Sequence, residues 1–217
     1  MNCLIISGGT LDPARTLSWH RHLDTLLKQA DLIIAADSGA RHLLNTGHLP
    51  HVIVGDLDSI DPRTLRFFKE KKVPVHSHPS RKNQTDTELC LSYALDRGAD
   101  RITFLAATGT RMDHTLANIL LLTRTADAGV SARILDAQNE LFLVKDRLEL
   151  TGDPGQLVSL IPISDKVTGV TLKGLGYPLS NHTLFRGRSL GVSNYFSETN
   201  AVISIKSGTL IIARSMD

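Results

Sequence analysis

Over the first two thirds of the chain, short and mostly apolar runs alternate with amphipathic stretches. Leu4-Ile5-Ile6, Leu32 to Ala36, Val52-Ile53-Val54, Ile102 to Leu105 and Val130 to Leu135 lack the in–out alternation of a half-exposed strand. Such runs predict strands covered on both faces, as in a parallel sheet. Val73-Pro74-Val75 adds a strand whose proline belongs at an edge or a bulge. Between the strands the period becomes helical. Asp12-Pro13 opens a helix carrying Leu17, Leu23, Leu26, Leu27 and Ala30, and Asp61-Pro62 opens another through Leu65, Phe67 and Phe68. Thr85 with Glu88 makes a capping box for a helix that Gly98 ends, and Leu116 to Ala126 forms a strongly apolar helix that stops before Gly129. A short helix after Asp37 to Ala40 is closed by Gly47. Strict alternation of strand and helix predicts an α/β domain with a mainly parallel sheet.

After about Asp136 the helical period disappears. Leu141 to Val144, Arg147 to Leu150, Leu157 to Pro162, Val167 to Leu172, Ala201 to Lys206 and Thr209 to Ala213 read as short strands separated by Gly, Pro, Asn and Asp. This predicts a small all-β domain, sandwich-like or an open barrel, and places the domains at 1–136 and 137–217.

Composition narrows the class. A chain of 217 residues, 41% hydrophobic and 21% charged, can bury a substantial core. Its 24 Lys and Arg face 22 Asp and Glu, with no basic stripe interleaved with aromatics, so no nucleic-acid footprint is expected. Cys3 and Cys90 lie in apolar stretches and read as reduced core residues. No apolar run approaches a membrane span, and Met1-Asn2-Cys3 lacks a basic leader, so a cytoplasmic location is expected.

The candidate chemistry lies just after the strands, where open α/β sheets bind ligands. Gly8-Gly9 allows close backbone approach. Gly55-Asp56-Leu57-Asp58-Ser59 follows a strand, and an extended chain there would put Asp56 and Asp58 on one side, able to share a cation. Asp37-Ser38-Gly39, Lys82-Asn83-Gln84-Thr85-Asp86 and Gly109-Thr110-Arg111-Met112-Asp113 add acids, glycines and cations. Each has an ordinary structural role open to it. Asp37 can cap a helix, Asp86 can favour a helix N-terminus, and Arg111 with Asp113 can be a local surface pair. Jointly, four loop carboxylates with Lys82 and Arg111 fit a magnesium–polyphosphate site. No Gly-x-x-x-x-Gly-Lys-Ser/Thr loop or Gly-x-Gly-x-x-Gly after a strand is present. His76 and His78 read as edge histidines, and His114 as a structural or a catalytic one.

Ala36 to Ala40, Gly55 to Ser59, Lys82 to Glu88, Gly109 to His114 and the late Gly191-Val192-Ser193-Asn194 resemble the thiamine pyrophosphokinase family in identity and order. The resemblance spans nearly the whole chain. It implies transfer of a diphosphate from ATP to the hydroxyl of thiamine, giving thiamine diphosphate and AMP, with Mg2+ as cofactor, in a homodimer whose sites lie between subunits. By motif, it implies a magnesium and phosphate centre at Asp37, Asp56, Asp58 and Asp86, the last three catalytic. It implies nucleotide contacts at Gly9, Ser38, Lys82, Asn83, Gln84, Thr85, Arg111 and Asp113, and thiamine contacts at Ser193 and Asn194. The chain departs from the pattern at Ala106, where a glycine is usual. Its one tryptophan, Trp19, lies in the first helix, so the C-terminal tryptophan that some members stack on thiamine is missing. Tyr195, Phe196 or an aliphatic residue near Leu210 are its expected replacements. Two other functions share these features: a pyrophosphokinase for another alcohol, and a non-catalytic nucleotide or thiamine sensor.

Overall fold

A computed structural model describes residues 1–11, 17–79 and 83–215. The expected helix start at Asp12-Pro13 and the cation Lys82 lie outside them. The chain divides into two compact units, Met1–Ala137 and Gln138–Asp217.

The first unit holds strands β1 (Asn2–Ile6), β2 (Leu32–Ala36), β3 (Val52–Gly55), β4 (Val75–Ser77), β5 (Arg101–Leu105) and β6 (Ser131–Leu135). All pair in parallel, in the order β6-β5-β1-β2-β3-β4. Their apolar runs are buried throughout: Cys3 to Ile6 in the centre are 0% exposed, and burial pushes the Cys3 thiol up to about 12. Pro74 stands immediately before β4, which is the edge strand, where a missing N–H costs no ladder bond.

The helices are α1 (Leu17–Gln29), α2 (Pro62–Glu70), α3 (Asp86–Asp96) and α4 (Met112–Asp127), with a 3-10 segment at Asp37–Leu43. Asp61 caps α2 by accepting from the Arg63 and Thr64 N–H groups, each at 3.1 Å, with Pro62 pre-set at the first position. The apolar side of α2 drives Phe68 to full burial, worth about 2–3 kcal/mol. Helix α3 is only half a capping box. Thr85 Oγ1 accepts the Glu88 N–H at 3.2 Å, while the Glu88 carboxylate turns to Arg124 at 2.8 Å and Gln84 at 3.2 Å. Helix α4 begins at Met112, before the apolar run that signals it, so Asp113 and His114 lie in its first turn. No described helix is long and apolar enough to cross a membrane.

Strands β1 to β4 step outward in one direction, and the chain then returns to place β5 on the other side of β1. From β1 and β5 the chain therefore goes on to strands on opposite sides of the sheet, β2 and β6. Such a switch point opens a crevice at the carboxyl ends of the strands.

The second unit is all β, with strands β7 (Asn139–Val144), β8 (Arg147–Thr151), β9 (Leu157–Pro162), β10 (Lys166–Lys173), β11 (His182–Phe185), β12 (Asn194–Tyr195), β13 (Asn200–Ser204) and β14 (Leu210–Ser215). Within it β12, β9, β14 and β7 pair antiparallel in that order, and β11, β10, β13 and β8 form a second antiparallel set. Val158, Leu160, Leu210 and Ile212 from one set and Val167, Leu172, Leu184 and Ile203 from the other enclose one core around Phe196. That is the arrangement of a sandwich. The sequence pattern anticipates six of these strands and misses β11 and β12.

Candidate active site

The loop after β1 is stitched to the loop after β5 through its backbone. Ser7 N–H donates to Leu105 O at 2.9 Å, Gly9 N–H to Ala106 O at 2.8 Å, and Thr10 N–H to Thr108 O at 2.7 Å. A Cβ at Gly9 would lie 2.2 Å from Thr108 O and 2.4 Å from Ala106 O, so only glycine permits this approach. Ala106, in the place where the family pattern has a glycine, adopts φ +50° while fully buried. The left-handed conformation costs an alanine about 1–2 kcal/mol and is held by these surrounding bonds. Buried Asn118 braces the same loop by donating to Ala107 O at 2.8 Å. Together the loops frame a cavity of about 360 Å³, lined among others by Gly9, Asp37, Ser38, Thr85, Asp86 and Arg111.

Asp37 follows β2 with φ +45° and is 1% exposed. Its Oδ2 accepts the Ser59 N–H at 3.1 Å, whereas its Oδ1 is buried and accepts no hydrogen bond from the described residues. Burial raises its pKa above the usual carboxylate range; the Ser59 bonds oppose this, and the charges of Asp86 and Asp56 reinforce it. Among the described residues, Asp37, Asp56 and Asp58 each present an oxygen, all within 4.8 Å of one another. Asp86 borders the same space: a Cβ at Gly55 would lie 3.1 Å from its Oδ1 and 2.9 Å from Asp37 Cβ.

The expected reason for the pairing of Asp56 and Asp58 is corrected. The strand ends at Gly55, and Leu57 has φ +65°, so the chain turns instead of staying extended. The Asp58 N–H donates to Asp56 Oδ1 at 3.4 Å, and the two carboxylates converge through this turn. An orphaned buried carboxylate oxygen and two converging carboxylates are hard oxygen donors, the set that a divalent cation such as magnesium takes.

Two arginines line the same cavity. Arg111 is paired with Asp113, Nη2 to Oδ2 at 2.6 Å and Nε to Oδ1 at 3.2 Å, and this guanidinium holds the Asp113 carboxyl down at about 2. The sequence reading missed Arg41, which also lines the cavity and donates from Nη2 to Gly8 O at 2.7 Å and Gly9 O at 2.9 Å. His42 Nε2 donates to the same Gly9 carbonyl at 3.0 Å. Burial, helped by the Arg41 charge, lowers the His42 pKa to about 4, so the ring is neutral.

Of the other expected nucleotide residues, Ser38 and Thr85 line the cavity, while Asn83 and Gln84 do not; Gln84 binds Glu88 instead. Ser193 and Asn194 lie in the second unit. Asn194 is 2% exposed, its amide engaged with the backbone of Tyr177. Of the expected stand-ins for the missing tryptophan, Phe196 is buried, and so are the aliphatic residues at and beside Leu210, Ile211 and Ile212, which removes them as ring-binding surfaces.

A parallel sheet whose switch point carries glycine loops, clustered carboxylates and guanidinium groups, joined to a β sandwich, defines an α/β enzyme that handles nucleotide phosphates. Comparison with known proteins gives the particular family. A sequence model for "Thiamin pyrophosphokinase, catalytic domain" matches residues 23–134, and one for "Thiamin pyrophosphokinase, vitamin B1 binding domain" matches 145–210. The chain is 33% identical over 188 residues to thiamine pyrophosphokinase of Bacillus subtilis, covering 86% of this chain and 88% of that one. It is 28% identical over 211 residues to thiamine pyrophosphokinase 2 of Arabidopsis thaliana, covering 86% and 78%. The crystal structure of the Bacillus subtilis enzyme superposes with a TM-score of 0.87 at 30% identity, covering 100% of both chains. The chain belongs to the thiamine pyrophosphokinase family, enzymes that use ATP to form thiamine diphosphate.

Proposed function

We propose that this chain moves the terminal diphosphate of ATP onto the hydroxyl of thiamine, releasing AMP, with Mg2+ held by Asp37, Asp56 and Asp58 and with Asp86 beside them. The observation that carries this reading is the buried Asp37 carboxylate, one oxygen held by Ser59 and the other unsatisfied among the described residues, at the point where Asp56 and Asp58 converge. A bound Mg2+ supplies charge neutralisation for the diphosphate and aligns it with the acceptor. The chain's own residues do the rest. Gly9 lets the backbone approach the phosphates, Arg41 and Arg111 offset their charge, and Ser38 and Thr85 present hydroxyls from the cavity wall. In this reading Lys82, Asn83, Gln84 and Asp113 are further nucleotide contacts, assigned by their motifs alone. Diphosphate transfer needs in-line positioning and charge stabilisation, so no side chain has to act as nucleophile.

In the same reading the first unit binds nucleotide and metal, and the second binds thiamine through Ser193 and Asn194. The active form is a cytoplasmic homodimer with sites between subunits. Incubation with ATP, Mg2+ and a panel of alcohols tests the assignment. Thiamine diphosphate should form, and other alcohols should react poorly. Turnover of another alcohol in preference to thiamine, or binding of both substrates without turnover, would reject it. Light scattering at working concentration should give twice the chain mass.

A further inference from the structure

Gly8 and Gly9 run from β1 along the wall of the cavity to which the proposed function assigns the phosphates of ATP. A planar peptide unit can be fixed through its N–H or through its carbonyl. Here two successive units are fixed at both ends. In the Gly8–Gly9 unit the N–H donates to Ala106 O at 2.8 Å, and the carbonyl accepts from Arg41 Nη2 at 2.7 Å. In the Gly9–Thr10 unit the N–H donates to Thr108 O at 2.7 Å, and the carbonyl accepts from Arg41 Nη2 at 2.9 Å and from His42 Nε2 at 3.0 Å. The N–H ends are thus held by the loop after β5, and the carbonyl ends by the 3-10 segment Asp37–Leu43.

Close packing brings that segment to them. A Cβ at Gly39 would lie 2.1 Å from Ile6 O, and one at Gly8 2.5 Å from Ser38 Oγ, so bare backbone at both positions lets the segment rest on the end of β1. Restraint matters most at glycine, whose φ takes either sign at little cost. A unit free to turn over would swing its carbonyl, the negative end of the peptide dipole, toward the space that the phosphates need. A unit held by its carbonyl cannot.

The two anchors differ in what else they do. Arg41 lines the substrate cavity, so its charge also acts on the phosphates directly and any Arg41 variant would mix both effects. His42 does not line that cavity. It lines another, of about 370 Å³, with Leu11, Leu23 and Leu27. Its ring is half-buried and neutral, and a carbonyl only accepts, so the ring hydrogen is on Nε2. An uncharged residue outside the cavity reaches the phosphates through the carbonyl that it holds. We propose that His42 is a positioning residue for diphosphate transfer, pinning the Gly9 carbonyl so that the glycine loop keeps the shape that receives the donor's polyphosphate. The proposal rests on the phosphates lying against this loop.

The test compares wild type with His42→Gln, whose amide extends about as far as Nε2, and with His42→Leu and His42→Asn, which bring no donor to Gly9 O. It reads the KM for ATP and for thiamine, the calorimetric affinity for inorganic tripolyphosphate with Mg2+, and NMR amide exchange at Gly9 and Thr10. His42→Leu and His42→Asn should each raise the ATP KM and weaken tripolyphosphate binding by about tenfold, the size of one lost hydrogen bond, with the thiamine KM unchanged. Exchange at both amides should quicken by a similar factor. His42→Gln should keep wild-type values. A packing role alone would rank the variants by apolar volume, with Leu ahead of Asn and Gln. That ranking, an unchanged tripolyphosphate affinity in the Leu and Asn variants, an equal rise in thiamine KM, or unchanged exchange would overturn the proposal. So would a failure of both variants to fold; either one, folded, suffices for the comparison. If the wild type makes no thiamine diphosphate, the proposed function fails, while tripolyphosphate binding and amide exchange still test His42. If it does and His42→Leu matches it, only the role of His42 fails.

Discussion

Asp37→Asn is the perturbation that separates a metal centre from a chance cluster of acids. The Asp37 carboxylate lies within 4.8 Å of oxygens on Asp56 and Asp58, and the Asp86 charge reaches it as well. One such pair repels by about 3.5 kcal/mol at an effective dielectric of 20 and by about 1 kcal/mol in water. Asp58 is exposed and Asp56 half-buried, so the lower part of that range applies, about 2–3 kcal/mol for the set. Asparagine keeps an acceptor for the Ser59 N–H but makes that bond neutral, a loss of about 1 kcal/mol. The balance predicts that metal-free Asp37→Asn is more stable than metal-free wild type by about 1–2 kcal/mol, or about 2–8 °C in Tm. The pH dependence has a definite sign. A carboxyl whose folded pKa is raised binds its proton more tightly folded than unfolded, so metal-free wild type loses stability as pH rises through the window above the ordinary carboxylate value. The advantage of Asp37→Asn should vanish at pH below that window. Added Mg2+ should raise the Tm of wild type and leave the variant unmoved. Thermal unfolding in EDTA and in Mg2+ across pH reads all of this, and a variant less stable than wild type in EDTA at neutral pH would refute the reasoning.

Asp56→Asn and Asp58→Asn should each reduce turnover by at least about 100-fold while leaving the Tm in EDTA equal to or above wild type; retained activity at low magnesium in both would remove them from the centre. Asn194→Ala leaves a backbone donor and an acceptor at Tyr177 without partners and should lower Tm by about 4–8 °C, for about 2 kcal/mol, with Asn194→Asp losing at least as much because its second oxygen would face the Tyr177 carbonyl; equal Tm values for all three proteins would show that this clamp is idle. His42 takes up a proton in the unfolded chain below its ordinary pKa but in the folded chain only near 4, so stability should fall as pH drops through that interval. In His42→Gln, which can still donate to Gly9 O, that slope should shrink, and an unchanged slope in denaturant titrations would contradict the neutral buried ring.

The parallel strands were legible because burial on both faces leaves a nearly unbroken apolar run, as in Leu32 to Ala36, and β2 has those bounds. Glycines and acids directly after such runs pointed to the cavity for the same reason. What escaped the sequence depends on contacts distant along the chain. Arg41 looks like a solvent-facing cation in its own short helix, yet it reaches back to carbonyls at Gly8 and Gly9. The Asn194 amide engages the backbone of Tyr177, a contact that leaves no periodic signal. Strands β11 and β12 are short and carry polar residues, so nothing in their pattern separates them from loop. The pairing of Asp56 with Asp58 was right in outcome and wrong in cause, because a left-handed Leu57 cannot be read from an apolar side chain.

The central claim is a single transfer of a diphosphate, supported by the acidic centre, and product stoichiometry tests it most directly. With ATP, Mg2+ and thiamine, 31P NMR of one reaction should show AMP and thiamine diphosphate rising in equal amounts from the first turnover, with no ADP and no thiamine monophosphate. ADP appearing with thiamine monophosphate would mean stepwise phosphoryl transfer, and would contradict the account.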